Sequence, residues 1–150
     1  MACGLYYFVV KAILDNKTSV DKSKTFRDVL QDGIDEGRKF YGRDILNLTE
    51  IAHFGKLFNL DELKATGRDD ISSSGYVVNT LEAAIWSLVR TESFEEALLL
   101  AVNLADDSDT VGAVAGGLAG LHYGYDSIPK AWLEVIKKRE WIEEWCVKRS

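Results

Sequence analysis

Cysteine, histidine and proline are scarce in this chain of 150 residues, which contains two cysteines, two histidines and one proline. Cys3 and Cys146 lie near opposite ends of the sequence and show no CxxC spacing. Neither a disulfide framework nor a zinc site is expected, because both need several suitably spaced cysteines or histidines. We therefore expect reduced thiols, as in a cytoplasmic protein.

Long apolar runs and an excess of basic residues are also absent. The apolar stretch from Leu5 to Val10 is far shorter than the roughly 18 residues needed to span a bilayer, and no basic residues precede it. We expect neither a membrane partner nor a signal peptide. The net charge is −6, and no stripe of Lys and Arg is present to neutralise phosphates, so a nucleic-acid groove is not expected.

Apolar residues recur at helical spacing along most of the chain, and no segment shows the alternation of a strand. We expect an all-α fold, a compact orthogonal helical bundle that forms one domain over residues 1–150. Capping-box spacings at Thr25 and Ser93 mark two helix starts. The predicted helices cover 1–14, 25–40 with Phe40 on the buried face, 46–60 with Thr49 as the cap, a short stretch after 61 that runs into a Ser-rich loop, 77–89, 93–104, 110–123, and a last region from about 129 whose Trp132, Trp141 and Trp145 belong to the core or an interface.

The helix at 110–123 is rich in glycine and carries no Asp, Glu, Lys or Arg. Gly112, Gly116, Gly117 and Gly120 each cost about 1 kcal/mol of helix propensity relative to alanine. Close packing against neighbouring helices would offset that cost, which predicts that this is the central, dry helix of the bundle. Gly112, near the helix start, is also a candidate for close approach of the backbone to a ligand.

Three carboxylates and two hydroxyls directly precede that helix, in Asp106–Thr110. Side chains that offer only oxygen suit Mg²⁺, Ca²⁺ or Mn²⁺ rather than zinc. Asp107 and Asp109 are two residues apart and converge on one ion only if the backbone there is a turn, to which Thr110 could add its hydroxyl. The alternative is a helix cap, since Asp, Ser and Thr are favoured at N-caps and carboxylates stabilise the positive end of a helix.

Four segments, in matching order, give the sequence a family likeness: 75–84 (GYVVNTLEAA), 93–97 (SFEEA), 101–113 (AVNLADDSDTVGA) and 117–120 (GLAG). Together they resemble the C-terminal half of the ADP-ribosylglycohydrolases, from Tyr76 to about Ile136, with a looser match at the N-terminal helix. The resemblance implies an all-α fold around a binuclear Mg²⁺ or Mn²⁺ centre that hydrolyses the bond between ADP-ribose and an acceptor.

The resemblance also assigns residues. Asp107, Asp109 and Thr110 match the family's Asp-x-Asp-Thr metal ligands. Gly75 and Tyr76 match a Gly-Tyr pair along the ligand cleft, which makes them the candidate substrate-binding residues. The alternative for Tyr76 is a core tyrosine with a satisfied hydroxyl.

The sequence departs from the family pattern in what it lacks. The family's N-terminal Glu, its Thr-Asp-Asp-Thr run and its phosphate-binding Gly-Asn-Gly loop have no match; Asp69–Asp70 lacks the flanking threonines, and Asp106 stands where the family often has glycine. No complete catalytic set is expected, and three ligands from one turn would bind Mg²⁺ weakly. His53 and His122 are expected to be packed or surface residues rather than bases.

Three hypotheses follow. The first is a Mg²⁺-dependent hydrolase of ADP-ribosylated substrates that is truncated here or completed by a complementary N-terminal half. The second is a non-catalytic homologue that binds a metal, a nucleotide or a protein and covers its apolar surface by forming a homo-oligomer. The third is a plain helical interaction module whose acidic turn is only a cap.

Overall fold

The computed structural model describes residues 1–147, and every regular element among them is a helix, so the all-α prediction is confirmed. Short 3₁₀ turns join several of the α-helices. No helix within this range is both long and apolar enough to cross a bilayer. The α-helices are α1 (Ala2–Thr18), α2 (Phe26–Tyr41), α3 (Leu48–Ala52), α4 (Leu60–Ala65), α5 (Val77–Val89), α6 (Phe94–Val102), α7 (Ser108–Tyr123), α8 (Lys130–Val135) and α9 (Arg139–Val147).

The centre of the molecule is α5, in which every residue from Thr80 to Val89 is buried. It packs against α1, α2, α4, α6 and α7. A helix that is buried on all sides needs neighbours on all sides, and α5 has them. The residues predicted to face inward, Leu81, Ala84, Ile85, Leu88 and Val89, are all in the core.

The prediction that the glycine-rich helix is the central one is wrong. α7 packs mainly against α6 and α5 and only lightly against α1, and its Ala113 and Gly117 are exposed. The small residues do permit close approach, since a β-carbon at Gly112 would lie 2.9 Å from Val102 Cγ1 in α6. Glycine shortens the distance to a neighbouring helix, but it does not by itself place a helix at the centre of the bundle.

The helices α1 and α2 pack against each other and contribute Leu5, Val9 and Ile34 to the same core. α2 begins with the predicted capping box at Thr25. A β-carbon at Gly33 would lie 2.6 Å from Val9 Cα, so the two backbones touch there. The prediction that Phe40 is buried is wrong: its side chain is 53% exposed. Six residues beyond Ile34 amount to about 600° of helix rotation, which places Phe40 well off the buried face.

The prediction of one helix over 46–60 capped by Thr49 is also wrong. This stretch consists of the short helix α3 with a 3₁₀ turn on each side, at Ile45–Asn47 and at Gly55–Phe58. Thr49 lies inside α3 and caps nothing. The buried residues here are Ile51, Phe54, Leu57 and Leu60. They recur every three residues, which is the period of a 3₁₀ helix rather than that of an α-helix.

The last region divides into α8 and α9 at Lys138, whose φ is 61°. Pro129 directly precedes α8, as predicted. Trp132 packs against the edge of the core, with its ring centroid 6.3 Å from that of Phe94. Trp141, by contrast, is 57% exposed and stands beside Trp145 on α9, a helix with no buried residue. The C-terminal tryptophans therefore do not belong to the core.

Candidate functional site

The acidic segment begins in a turn with an unusual backbone. Ala105 and Asp106 have φ values of 74° and 48°, the left-handed region that disfavours residues with a β-carbon. Each such residue costs about 1–2 kcal/mol relative to a right-handed conformation. Two in succession persist only where surrounding contacts hold them.

Ser73, in the loop before α5, supplies those contacts. Its carbonyl oxygen accepts a hydrogen bond of 3.1 Å from the backbone N–H of Asp107. Its hydroxyl donates to the carbonyl oxygens of Leu104 and Ala105, at 3.3 and 3.0 Å. The single hydroxyl proton is shared between the two carbonyls. At about 1 kcal/mol net for each hydrogen bond, the shared bond and the Asp107 amide bond offset part of the cost of the turn.

α7 begins at Ser108, two residues earlier than predicted, so Asp109 and Thr110 lie in its first turn and Asp107 is its N-cap residue. The Asp107 side chain makes no hydrogen bond to a backbone N–H of α7. It instead accepts a hydrogen bond of 2.8 Å from the Thr110 hydroxyl. Asp107 therefore does not cap α7 with its side chain. The alternative of a helix cap stays open, because the Asp109 carboxylate accepts a hydrogen bond from a backbone N–H in the first turn.

Asp109 is exposed, and its Oδ1 accepts a hydrogen bond of 3.0 Å from the backbone N–H of Thr110. The pKa of Asp109 lies below its ordinary value of 3.8, first because its carboxylate shares a hydrogen bond with the Asp107 side chain and second because of the Thr110 amide. The two carboxyl groups and the Thr110 hydroxyl are thus neighbours. A cation beside both carboxylates would be attracted by each of them.

The Asp107 carboxylate also meets the loop that contains the other candidate residues. A β-carbon at Gly75 would lie 3.1 Å from Asp107 Oδ2, so the absence of a side chain there leaves room for the carboxylate. The structure therefore brings together Gly75 and Asp107, which the sequence places in separate motifs.

Tyr76 is the N-cap residue of α5 and is 55% exposed. The alternative of a core tyrosine is wrong. Beside it opens an apolar pocket of about 230 Å³ between α1, α5 and α7, lined by residues that include Cys3, Tyr6, Val77 and Val114. Val114 lies one helical turn beyond Thr110 on the same face of α7, although no residue of the acidic turn itself lines the pocket.

The three candidate metal ligands have the oxygen atoms that a hard divalent cation prefers but are too few to complete its coordination. Asp107, Asp109 and Thr110 offer only oxygen, as Mg²⁺ and Mn²⁺ prefer. Within residues 1–147, however, no group of three or more His, Cys, Asp or Glu side chains is placed to hold a metal ion. An octahedral ion bound here would need further ligands from water or from another molecule.

The remaining candidates lie away from this turn or have a packing role. His53 is exposed, and His122 stacks on Phe26 with ring centroids 3.7 Å apart. Burial lowers the pKa of His122 from its ordinary value of 6.5. Gly112 is buried against α6, so its backbone is not open to a ligand. Both histidines are thus surface or packed residues, as predicted.

The sequence did not point to Ser73 or to the hydrogen bonds that hold its loop. The Asn79 amide donates to the hydroxyls of Ser72 and Ser74, at 3.0 and 2.9 Å, and so fastens the loop to the start of α5. The signal was three consecutive serines directly before the Gly-Tyr pair. Nothing in their spacing reveals that the middle serine reaches residues 104–107.

The sequence is similar to known proteins of one family. The family model ADP-ribosylglycohydrolase matches residues 1–149. The ADP-ribosylarginine hydrolase Tri1 of Serratia proteamaculans is 51% identical over 86 residues, which are 57% of this chain and 24% of that protein. The ADP-ribosyl-[dinitrogen reductase] glycohydrolase of Rhodospirillum rubrum is 44% identical over 64 residues, 43% of this chain and 22% of that protein.

A more distant relative is the human ADP-ribosylhydrolase ARH3, which is 28% identical over 87 residues, 49% of this chain and 24% of that protein. In all three cases the matched segment spans about a quarter of the relative's length.

Proposed function

Because the chain belongs to the ADP-ribosylglycohydrolase family, we propose that it binds ADP-ribose carried by an acceptor and contributes to hydrolysis of the bond between them at a Mg²⁺- or Mn²⁺-dependent site. The observation that carries the proposal is the meeting of Gly75 with Asp107, which joins the candidate substrate loop to the candidate metal turn. The relatives named above act on ADP-ribosylated substrates, which supports the same substrate class here.

In this proposal Asp107, Asp109 and Thr110 would hold the cation. A bound divalent cation supplies positive charge and ligand positions for sugar hydroxyls and water. The exposed ring of Tyr76, the residue after Gly75, would pack against the nucleotide part of the substrate.

Cleavage of a glycosidic bond passes through an oxocarbenium-like state and needs a base for the attacking water. We place the base and the remaining metal ligands outside residues 1–147. The motifs that supply them in the family have no match in the sequence, and within the described range no third acidic or imidazole group joins Asp107 and Asp109. The missing groups would come from a complementary polypeptide segment, since a second copy of this chain lacks the same motifs.

A thermal-shift titration with Mg²⁺ or Mn²⁺ and with ADP-ribose tests the binding part of the proposal. A ligand at ten times its dissociation constant raises the free energy of unfolding by about 1.4 kcal/mol, which corresponds to a few degrees in Tm for a chain of this size. We expect the shift in the wild type and its loss in Asp107→Asn and Asp109→Asn. Asp69→Asn, an exposed aspartate elsewhere, is the matched control.

Two outcomes contradict the proposal. No shift with either ligand at millimolar concentration would remove the binding function. Turnover of ADP-ribosylarginine by this chain alone would show that the base and the other ligands lie within it, against the placement given above.

A second candidate function is a non-catalytic binding module that self-associates. The observation that favours it is the apolar pocket between α1, α5 and α7, where Val77 is 51% exposed and Cys3 is exposed. Ligand binding without turnover, together with concentration-dependent assembly, is the result that distinguishes this module from part of an enzyme.

A further inference from the structure

The loop before α5 contains three serines, of which only the middle one faces the acidic turn. Ser73 is 2% exposed, and its backbone carbonyl and its hydroxyl both engage residues 104–107. We propose that Ser73 is the positioning residue of the site: it holds the left-handed turn and thereby directs the Asp107 carboxylate toward Gly75 and Thr110. The inference rests on the proposed function.

Among residues 1–147, no other side chain donates a hydrogen bond to the backbone carbonyls of residues 104–107. Ala105 and Asp106 are both exposed and both left-handed, so neither is held by burial of its own side chain. The Ser73 hydroxyl fixes the peptide groups that flank Ala105 by binding the carbonyls of Leu104 and Ala105. Without it, both residues would gain by rotating to negative φ.

Rotation at these residues would move the candidate ligands apart. Asp107 follows the two left-handed residues directly, so any change in their backbone reorients its carboxylate. Two contacts depend on the present direction of the Asp107 carboxylate. One is the 2.8 Å hydrogen bond from the Thr110 hydroxyl, and the other is the approach of Oδ2 to within 3.1 Å of the position that a Gly75 β-carbon would take. Thr110 and Asp109, in the first turn of α7, would stay in place, so the ligand set would lose one member.

The chain offers two matched control substitutions. Ser72 is exposed and its hydroxyl accepts from the Asn79 amide, so Ser72→Ala changes the same loop without touching the turn. Ser87 is fully buried in α5 and its hydroxyl donates to the Ala84 carbonyl at 2.8 Å. Ser87→Ala therefore removes a buried hydroxyl and its hydrogen bond at a place remote from the turn.

The experiment compares Ser73→Ala with both controls by Mn²⁺ binding, followed by electron paramagnetic resonance, and by hydrogen exchange at the Asp107 amide. We expect Ser73→Ala to weaken Mn²⁺ binding up to about tenfold, the scale set by the loss of the one hydrogen bond that the hydroxyl shares between two carbonyls. Exchange of the Asp107 amide should accelerate in the same variant. Ser87→Ala should lower Tm while leaving both readouts at the wild-type value.

Rescue makes the test specific. Glycine adopts positive φ without the cost of a β-carbon, so Asp106→Gly should restore much of the Mn²⁺ affinity in the Ser73→Ala background. Ser73→Cys, which keeps the size of the side chain but donates more weakly, should give an intermediate affinity and keeps the test open if Ser73→Ala does not fold.

The outcomes separate this inference from the function on which it rests. If exchange at Asp107 and Mn²⁺ affinity in Ser73→Ala match those of Ser72→Ala, the positioning role is overturned. If the wild type binds no Mn²⁺ while exchange at Asp107 still accelerates in Ser73→Ala, the positioning of the turn stands and the proposed metal-dependent function is lost.

Discussion

Glu82 is a carboxylic acid in the middle of the most buried helix, α5, and only 7% of the residue is exposed. Its Oε2 lies 3.7 Å from the Nζ of Lys56, which reaches in from the surface. Burial raises the pKa of Glu82 above its ordinary value of 4.5, and the opposing effect of Lys56 does not cancel this. The charged form of Glu82 is thus less favourable in the folded state than in the unfolded chain.

Glu82→Gln tests this balance through the pH dependence of stability. Because the folded-state pKa is raised, the contribution of Glu82 is fully present below the unfolded pKa and is lost as pH rises through the folded pKa. We expect the stability of Glu82→Gln relative to the wild type to improve between pH 4 and pH 7. Urea unfolding across that range measures it, with exposed Glu134→Gln as the control for loss of one charge.

A relative stability that is independent of pH, or that falls as pH rises, would contradict this expectation. The second result would mean that Lys56 stabilises the charged form more than burial disfavours it.

At the scale of elements, the contact of α1 with α2 at Gly33 is tighter than the contact of α6 with α7 at Gly116. A β-carbon at Gly33 would strike the backbone of α1, at 2.6 Å from Val9 Cα and 2.8 Å from the Phe8 carbonyl oxygen. A β-carbon at Gly116 would meet the side chain of Leu98, at 3.4 Å from Cδ1 and 3.9 Å from Cδ2, which are ordinary contacts. The first glycine is required by the packing of α1 on α2, whereas the second is not required by the packing of α7 on α6.

The two alanine substitutions should therefore have opposite signs. Gly33→Ala forces two helices apart and should destabilise the fold by about 1–3 kcal/mol. Gly116→Ala fits and gains helix propensity, so it should stabilise by about 0.5–1 kcal/mol. Chemical denaturation with an unchanged m-value measures both. A stabilising Gly33→Ala would mean that α1 and α2 do not touch as described.

The sequence was informative about elements where the signal was local. The capping box at Thr25 and the helical pattern of α5 each depend on a few neighbouring residues, and both are confirmed. The central position of α5 rather than α7 was not predictable from composition, because glycine indicates close approach to one neighbour and says nothing of the other side. The prediction of one α-helix over 46–60 was wrong because buried residues spaced by three resemble an α-helical pattern over so few turns.

The candidate site was likewise predictable from the sequence only in part. Asp107, Asp109, Thr110, Gly75 and Tyr76 were found through resemblance to a family, and their metal- and substrate-binding roles stay predictions. Ser73 was missed because its hydroxyl's partners lie 31 and 32 residues away and all of its contacts with residues 104–107 go to backbone atoms, which any residue provides.

At the scale of the whole molecule, the apolar pocket between α1, α5 and α7 is the surface that we expect to be covered in solution. Its lining includes Cys3, Val77 and Val114 and carries no charged side chain. Exposed apolar surface of this kind favours association, whereas the net charge of −6 on each copy opposes it.

We expect the chain to self-associate through this pocket, more strongly as salt screens the charge. Sedimentation velocity over a range of concentrations measures the assembly. Val77→Asp should shift the population toward monomer, whereas Val135→Asp, at a position 80% exposed on α8, should not. A monomer at every concentration and salt level would leave the pocket without this role.

The contact between Ser73 and Ala105 closes a loop of 32 residues that contains all of α5 and α6. Closing such a loop has an entropic cost that contacts within it must offset first. The acidic turn should therefore form late in folding, after α5 and α6 have packed, and should open early when the chain unfolds. Substitutions at the interface between α5 and α6 would then alter the site without touching it.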